Sequence, residues 1–270
     1  MDKNALRGKA AIVTGASRGI GRAVAVELAS LGADVVVTAR TVAGRHDIAG
    51  TVGETVEKIT AAGGSAIALP ADLLVPEELD ALVEKVIAQF GRVDILVNNA
   101  AHITESVFES VWDMSRESWR NMIDLNVNVP WALSKAAAAS MREQGGGVIV
   151  NMSSGIAAQI GPSVDEPLPE AGGHGAAYPT SKTALNQLTA WLGNELRAVG
   201  ITMVGIDPGF SRSESAEIFL AQRGLSAESA QPVEIAAKAI AYVVTRSGPT
   251  EFACRTLVAR EIVDEHELLD

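Results

Sequence analysis

Tyr178 and Lys182 stand four positions apart in the stretch "YPTSK", directly after a Gly-rich, acidic segment and directly before a run with helical spacing. Residues four apart on a helix share one face. Pro179 is compatible with a helix that begins here, because proline is tolerated in the first turn. A free tyrosine has a pKa of about 10, too high for efficient proton transfer near neutrality, and a neighbouring positive charge lowers it by stabilising the phenolate. The pair therefore predicts an acid/base pair, a phenol tuned by an ammonium.

A second constellation is the turn "TGASRGIG", Thr14 to Gly21, between a strand-like run and a helix-like one. At such a turn glycines let the backbone approach a pyrophosphate, and the helix N-terminus offers unpaired N–H donors. The spacing is GxxxGxG, not the commoner GxGxxG, and a glycine cluster alone also makes a simple tight turn. The next strand-like run ends in "TAR". An acid there would accept from a ribose 2′-OH, whereas an arginine accommodates a 2′-phosphate. No acid is present, Arg40 is, and Arg18 lies inside the glycine turn. Either arginine alone reads more readily as a solvated surface charge, as most arginines are; together they favour NADP(H) over NAD(H).

These residues need a scaffold. "KAAIVTG" is a short buried-strand pattern, "GIGRAVAVELASLG" has apolar residues at helical spacing and ends on Gly32, and "ADVVVTAR" is strand-like again. The alternation continues through "SAIALPAD", "VDILVNNA", "GGVIVNMSS", "ITMVGIDPG" and "RTLVAR", with helices expected from Pro76 to Gln89 and from Lys182 to Leu196. Such a rhythm predicts an α/β fold, a doubly wound parallel sheet of Rossmann type with about seven strands and helices on both faces. No internal repeat, low-complexity tract or linker divides the chain, so residues 1–270 read as one dinucleotide-binding and catalytic domain. Two stretches break the rhythm, 41–53 and 159–176, and both read as long loops.

Composition narrows the function. Hydrophobic residues make up 47% and charged residues 20% of the chain, ordinary values for a globular protein. With 22 Lys+Arg against 33 Asp+Glu the formal net charge is −11, which disfavours binding to nucleic acid or anionic membranes. One cysteine, Cys254, cannot form an intramolecular disulfide, and no His/Cys cluster has metal-ligand spacing. Cys254 reads as a small buried apolar residue and no metal is expected. Without a signal-peptide pattern or an apolar run of about 20 residues, the chain is expected in the cytoplasm.

With these residues in hand, the sequence resembles the short-chain dehydrogenase/reductase family in its single-domain form, over nearly the whole chain. "TGASRGIG" is similar to the family's cofactor loop, which assigns Gly15, Ser17, Arg18, Gly19 and Ile20 to cofactor binding. Asp72, with Leu73 after it, resembles the adenine-contacting aspartate. "NNA" from Asn98 to Ala100 resembles the fourth-strand motif, and Asn126 of "DLN" the helix asparagine. Ser154 of "NMSS", Tyr178 and Lys182 match the catalytic set. "DPGFSRS" matches the PG motif, adding Pro208, Gly209, Ser211 and Ser213, the last at the usual threonine position.

The resemblance implies hydride transfer at C4 of a nicotinamide, with Tyr178 exchanging the proton of the carbonyl oxygen. Ser154 would hold that oxygen as a fixed donor. Lys182 would also bind the nicotinamide ribose, and Asn126 would position a water of a proton relay. The expected reaction is the NADP-dependent interconversion of a secondary alcohol and its ketone or aldehyde. A cofactor-binding regulator, an NAD-dependent dehydrogenase of the same fold and an epimerase or dehydratase are the alternatives. An epimerase needs a larger C-terminal substrate domain than the residues after "DPG" supply, and a pure sensor needs no charge-tuned phenol.

Three departures stand out. Ala101 replaces the usual glycine of "NNAG"; the interval from Ser154 to Tyr178 is longer than usual; and "RTLVAREIVDEHELLD" lacks the common glycine-rich ending, resembling the hydroxysteroid-dehydrogenase-like branch. The segment 159–176, rich in Pro, Gly and acids, is expected to be a lid over the substrate. Ile156, Phe210 and Phe219 are candidate substrate-wall residues, and His174 reads as a solvated loop histidine. A homo-oligomer is expected through the helices that carry Asn126 and Lys182, a tetramer first and a dimer second.

Overall fold

A computed structural model of the chain describes residues 1–40, 49–102, 107, 109–158, 175–222, 226–246 and 250–269. The expected His174, most of the 41–53 loop and nearly all of the 159–176 segment lie outside these residues, as does the side chain of Phe219. The strands are β1 Ala10–Thr14, β2 Asp34–Thr38, β3 Ser65–Ala68, β4 Ile95–Asn98, β5 Gly147–Met152, β6 Ile201–Asp207, β7 Ser211–Arg212, β8 Gln231–Pro232 and β9 Thr256–Val258. The α-helices are α1 Gly19–Ser30, α2 Val52–Ala61, α3 Pro76–Phe90, α4 Arg116–Ile123, α5 Val129–Glu143, α6 Ala177–Leu196, α7 Glu214–Gln222, α8 Glu234–Thr245 and α9 Ala259–Glu265. Each of the seven strand-like runs read from the sequence contains a strand of the main sheet. Two helices are longer than expected: α3 runs one residue further, and α6 begins at Ala177, which places Tyr178 and Pro179 in its first turn.

Seven strands form one parallel sheet in the order β3-β2-β1-β4-β5-β6-β9. Parallel strands need crossovers, and helices supply them on both faces. Alternate residues of the same strand serve the two faces. Ala11 and Val13 of β1 join one apolar core with Val24, Leu28 and Ile240 of α1 and α8, while Ile12 joins the other with Leu82, Leu133 and Met141 of α3 and α5. The core strands are built from β-branched residues such as "DVVVT" of β2, which suit a pleated surface buried on both sides. Among the described residues no helix is long and apolar enough to cross a membrane.

Helix boundaries follow local chemistry. Thr51 and Glu54 form a reciprocal capping box at the start of α2, with bonds of 3.1 and 3.2 Å. The expected 41–53 loop is therefore shorter at its C-terminal end, because Val52 and Gly53 are already helical. Pro76 opens α3 and Gly91 closes it at φ +74°. Between α4 and α5 the five residues Asp124–Asn128 form a π-turn, a local widening often found at functional sites. α1 differs: its N-cap Arg18 is extended and provides no side-chain cap.

The strand order reverses between β1 and β4, which makes a crevice at their C-terminal ends. Ligands of open α/β sheets bind at that switch point. Cys254 departs from expectation. It is only partly buried and adopts φ +64°, because its backbone turns sharply to let its N–H reach the Met203 carbonyl at 2.8 Å.

Candidate active site

The glycine turn lies against the end of β4. A Cβ on Gly21 would fall 2.4 Å from the Gly15 carbonyl oxygen, and one on Gly15, at φ +64°, would fall 2.9 Å from Ala100 Cα. Thr14 and Asn99 hold this approach. Asn99 and Ala100 backbone N–H groups each donate to Thr14 Oγ at 2.9 Å, and Asn99 Nδ2 donates to the Thr14 carbonyl at 2.8 Å. Sequence reasoning passed over Asn99 in favour of Asn98. Asn98 is buried, and its Nδ2 donates inward to Asn151 Oδ1 at 2.8 Å and to Ser134 Oγ at 3.3 Å. The Asn98 side chain thus ties β4 to β5, and that of its neighbour Asn99 shapes the loop.

At the open N-terminus of α1, the Gly19 N–H donates to a Glu214 carboxylate oxygen at 2.8 Å, and the other oxygen accepts from Arg22 Nη1 at 3.2 Å. Arg22 also donates to the Ser17 carbonyl and to Thr55 Oγ. A carboxylate from α7, distant in sequence, therefore stands in for an anion at the helix end, where dipole and free N–H groups favour negative charge. Ser213 Cβ lies 3.1 Å from where a Gly19 Cβ would sit, so the end of the PG segment closes over the same spot. Space for backbone approach, an anion-accepting helix end and nearby arginines together fit a dinucleotide diphosphate. Neither Arg22 nor Glu214 carried a signal in sequence, because their meeting is a long-range event.

On the far side of the crevice Arg40 Nη1 lies 4.0 Å from Asp72 Oδ2, both side chains being well exposed. Asp72 Oδ1 accepts from the Leu74 N–H at 3.0 Å, and the Asp72 N–H donates to Glu78, which fixes the turn before α3. The Leu73 side chain packs into the core. Arg18 Nη2 donates to the Gly50 carbonyl at 3.1 Å. Ile20, in the first turn of α1, packs partly against the core. In the PG segment Gly209 is at φ +63°, Ser211 Oγ donates to the Pro208 carbonyl at 3.0 Å and Ser213 Oγ caps α7 by accepting from the Ala216 N–H at 3.2 Å.

The catalytic candidates converge where β5 and β6 end. Of the adjacent serines, Ser153 is buried and donates to Asn186 Oδ1 at 2.6 Å, whereas Ser154 is partly exposed and hydrogen-bonds the Tyr178 side chain. Lys182 is buried, donates to the Met152 carbonyl at 2.8 Å and holds its ammonium 5.7 Å from the centroid of the Tyr178 ring. The expected lowering of the tyrosine pKa is not what this arrangement produces. Burial pushes Tyr178 above its usual value, the Ser154 hydrogen bond offsets part of this, and the Asp207 carboxylate raises it further. Burial also holds Lys182 down at about 8, so the lysine is itself short of solvation.

Asn126 lies in the π-turn and is buried. Its Oδ1 accepts from the His102 N–H at 2.9 Å, and its Nδ2 donates to Ser181 Oγ at 3.0 Å; Ser181 Oγ in turn donates to the Tyr178 carbonyl at 2.8 Å. The Asn126 side chain thus links the segment after β4 to the first turn of α6. Both of these bonds go to protein groups, so the side chain is fixed between two segments of the chain. His102, another residue unremarked in sequence, is held below its usual pKa by burial and by Arg40.

This arrangement agrees with what comparison shows. Residues 9–223 match the short chain dehydrogenase family, and the chain belongs to it. It is an oxidoreductase of that family by relationship to curated members. The 2-dehydro-3-deoxy-D-gluconate 5-dehydrogenase of Dickeya dadantii is 34% identical over 224 residues, 83% of this chain and 79% of the relative. A solved structure of a putative NAD(P) dependent gluconate 5-dehydrogenase from Beutenbergia cavernae, with NADP bound at low occupancy, superposes with a TM-score of 0.79 at 29% identity, covering 95% of this chain and 97% of that one. A short chain dehydrogenase from Burkholderia cenocepacia in complex with NADP gives 0.77 at 31% identity, covering 94% and 97%.

Proposed function

We propose that this chain is an NADP-dependent oxidoreductase that interconverts a secondary alcohol and its ketone or aldehyde, with Tyr178 as general acid/base. The observation that carries this reading is the Ser154–Tyr178 hydrogen bond at the C-terminal edge of the sheet, with Lys182 buried beneath. The glycine loop, Ser213, Lys182 and the arginines would hold the cofactor, which when bound supplies or accepts the hydride. Tyr178 gives its proton to the carbonyl oxygen during reduction. Ser154 Oγ donates to the same oxygen, where negative charge develops. Asn126 acts through others: by tying the His102 backbone to Ser181 it sets where α6 begins and so where the phenol points.

NADPH should bind at least several-fold more tightly than NADH, because Arg40 and Arg18 flank the crevice and no acid ends β2. Fluorescence titration of both nucleotides tests this. Arg40→Ala should weaken NADPH binding and leave NADH binding unchanged; equal wild-type affinities would show the assignment to be wrong.

The same reading includes a homo-oligomer, a tetramer in preference to a dimer. Trp131 on α5 and Trp191 on α6 are 48% and 71% exposed on neighbouring helices, and Trp119 on α4 is 41% exposed. Exposed indole area on adjacent helices is what an interface between copies would cover. Light scattering at micromolar concentration should give a multiple of the 28.1 kDa chain mass, and Trp191→Asp should reduce it. A monomer mass for the wild type would sink the proposal.

A further inference from the structure

We infer that Asp207 determines substrate choice, selecting carbonyl compounds that carry a hydroxyl on the carbon beside the reacting one and rejecting those that carry a carboxylate there. The inference rests on the oxidoreductase reading above and names the substrate class of the same site.

Asp207 is the last residue of β6, a strand otherwise built of "ITMVGI". The Ser153 N–H bonds to the Ile206 carbonyl at 2.8 Å, so the end of β6 lies beside the chain that leads into Ser154. One carboxylate oxygen, Oδ1, accepts from the Gly209 N–H at 3.0 Å and is thereby aimed. The other, Oδ2, lies 2.9 Å from where a Cβ on Gly155 would stand, which places this oxygen against the residue next to Ser154. Among the described residues no cation within 4.0 Å pairs with it. Its charge is felt at the Tyr178 hydroxyl, where it opposes phenolate formation.

A carboxylate in that place works against a site in which negative charge develops on the substrate oxygen. It becomes useful when the substrate brings a donor. A hydroxyl on the adjacent carbon, with the reacting oxygen held by Ser154 and Tyr178, can donate to Oδ2 in a charge-assisted bond. A ketone without that hydroxyl leaves the carboxylate facing an apolar group, and a substrate carboxylate would meet like charge.

Three aryl ketones separate these cases: acetophenone, 2-hydroxyacetophenone and phenylglyoxylate, each followed by NADPH oxidation. The wild type should prefer 2-hydroxyacetophenone to acetophenone by about tenfold or more in kcat/KM, the range expected when a hydrogen bond to a charged group is gained. Phenylglyoxylate should be a poor substrate. In Asp207→Ala the preference should collapse towards one. Asp207→Asn keeps an acceptor for the Gly209 N–H, and should turn over phenylglyoxylate better than the wild type even if the alanine variant folds poorly.

Binding of 1-phenylethanol, 1-phenyl-1,2-ethanediol and mandelate to the enzyme–NADPH complex, read by nicotinamide fluorescence, gives the same order without turnover. No diol preference in the wild type, or an unchanged preference in Asp207→Ala, overturns the inference. If the binding order holds while none of the ketones oxidises NADPH, the selection stands and the proposed NADP-dependent carbonyl reduction falls.

Discussion

Tyr178→Phe should lower turnover by about 10²–10⁴-fold, the usual contribution of a positioned acid or base, while leaving the NADPH dissociation constant within about twofold. The substitution removes one oxygen and its proton and keeps the ring. Tyr178 packs against Val107, Met122 and Ala177, contacts that phenylalanine retains. Ser154 loses its partner but is partly exposed, so its hydroxyl turns to water at little cost. The α6 start is unaffected, because Ser181 bonds to the Tyr178 backbone carbonyl and not to the ring. Burial and Asp207 hold the phenol protonated above its ordinary range, which suits proton donation. Wild-type carbonyl reduction should therefore be nearly independent of pH around neutrality, and alcohol oxidation should climb as pH rises into the alkaline range. Stopped-flow reduction with thermal denaturation separates chemistry from folding. Undiminished turnover in the variant would move the acid/base role to another group.

Lys182→Met should stabilise the fold while abolishing efficient catalysis. The ammonium is buried, and burial lowers its pKa from the usual 10.5 to about 8. At about 1.4 kcal/mol per pH unit, holding it charged in the fold costs about 3 kcal/mol below pH 8. The sign is that of a cation with a depressed pKa. Between pH 8 and 10.5 the unfolded chain binds the proton more tightly, so wild-type stability should rise with pH across that window. Methionine fills a similar volume without charge but leaves the Met152 carbonyl without its donor, a loss of about 1 kcal/mol. Urea unfolding at pH 7 should show the variant more stable by about 1–3 kcal/mol, the difference closing towards pH 10.5. NADPH affinity should fall in parallel with turnover. A variant less stable than the wild type at pH 7 would show that the hydrogen bond outweighs the buried charge.

The order of strands and helices was legible because it is written in periodicities that run only a few residues: "AIV", "VVV" and "VIV" between turns, and apolar residues at helical spacing in "GIGRAVAVELASLG". Ser154, Tyr178, Lys182 and the glycine turn were legible for the same reason, as short patterns at strand ends. Their roles were less so. The identity of Lys182 suggested a cation that lowers a neighbouring pKa, yet whether it does so depends on solvent exclusion around both groups, and here burial prevails. Asn98 and Asn99 are adjacent in "NNA", and only the end of β4 decides between them: Asn98 is its last residue and bonds inward to Asn151, whereas at Asn99 the chain turns, its N–H reaching the Val97 carbonyl, and its side chain meets the glycine loop.

What the sequence alone determined is therefore the parallel α/β scaffold, the glycine turn between β1 and α1 and the candidate trio Ser154, Tyr178 and Lys182, all carried by local spacing. The tertiary structure decided the pairings that join distant segments: Glu214 with Gly19 and Arg22, Asn126 with His102 and Ser181, and Asp207 beside Gly155. An isolated Glu or Asp has the same chemistry anywhere on the chain. Its function comes from the field and the donors it meets, and those are set by which strand ends the fold brings together.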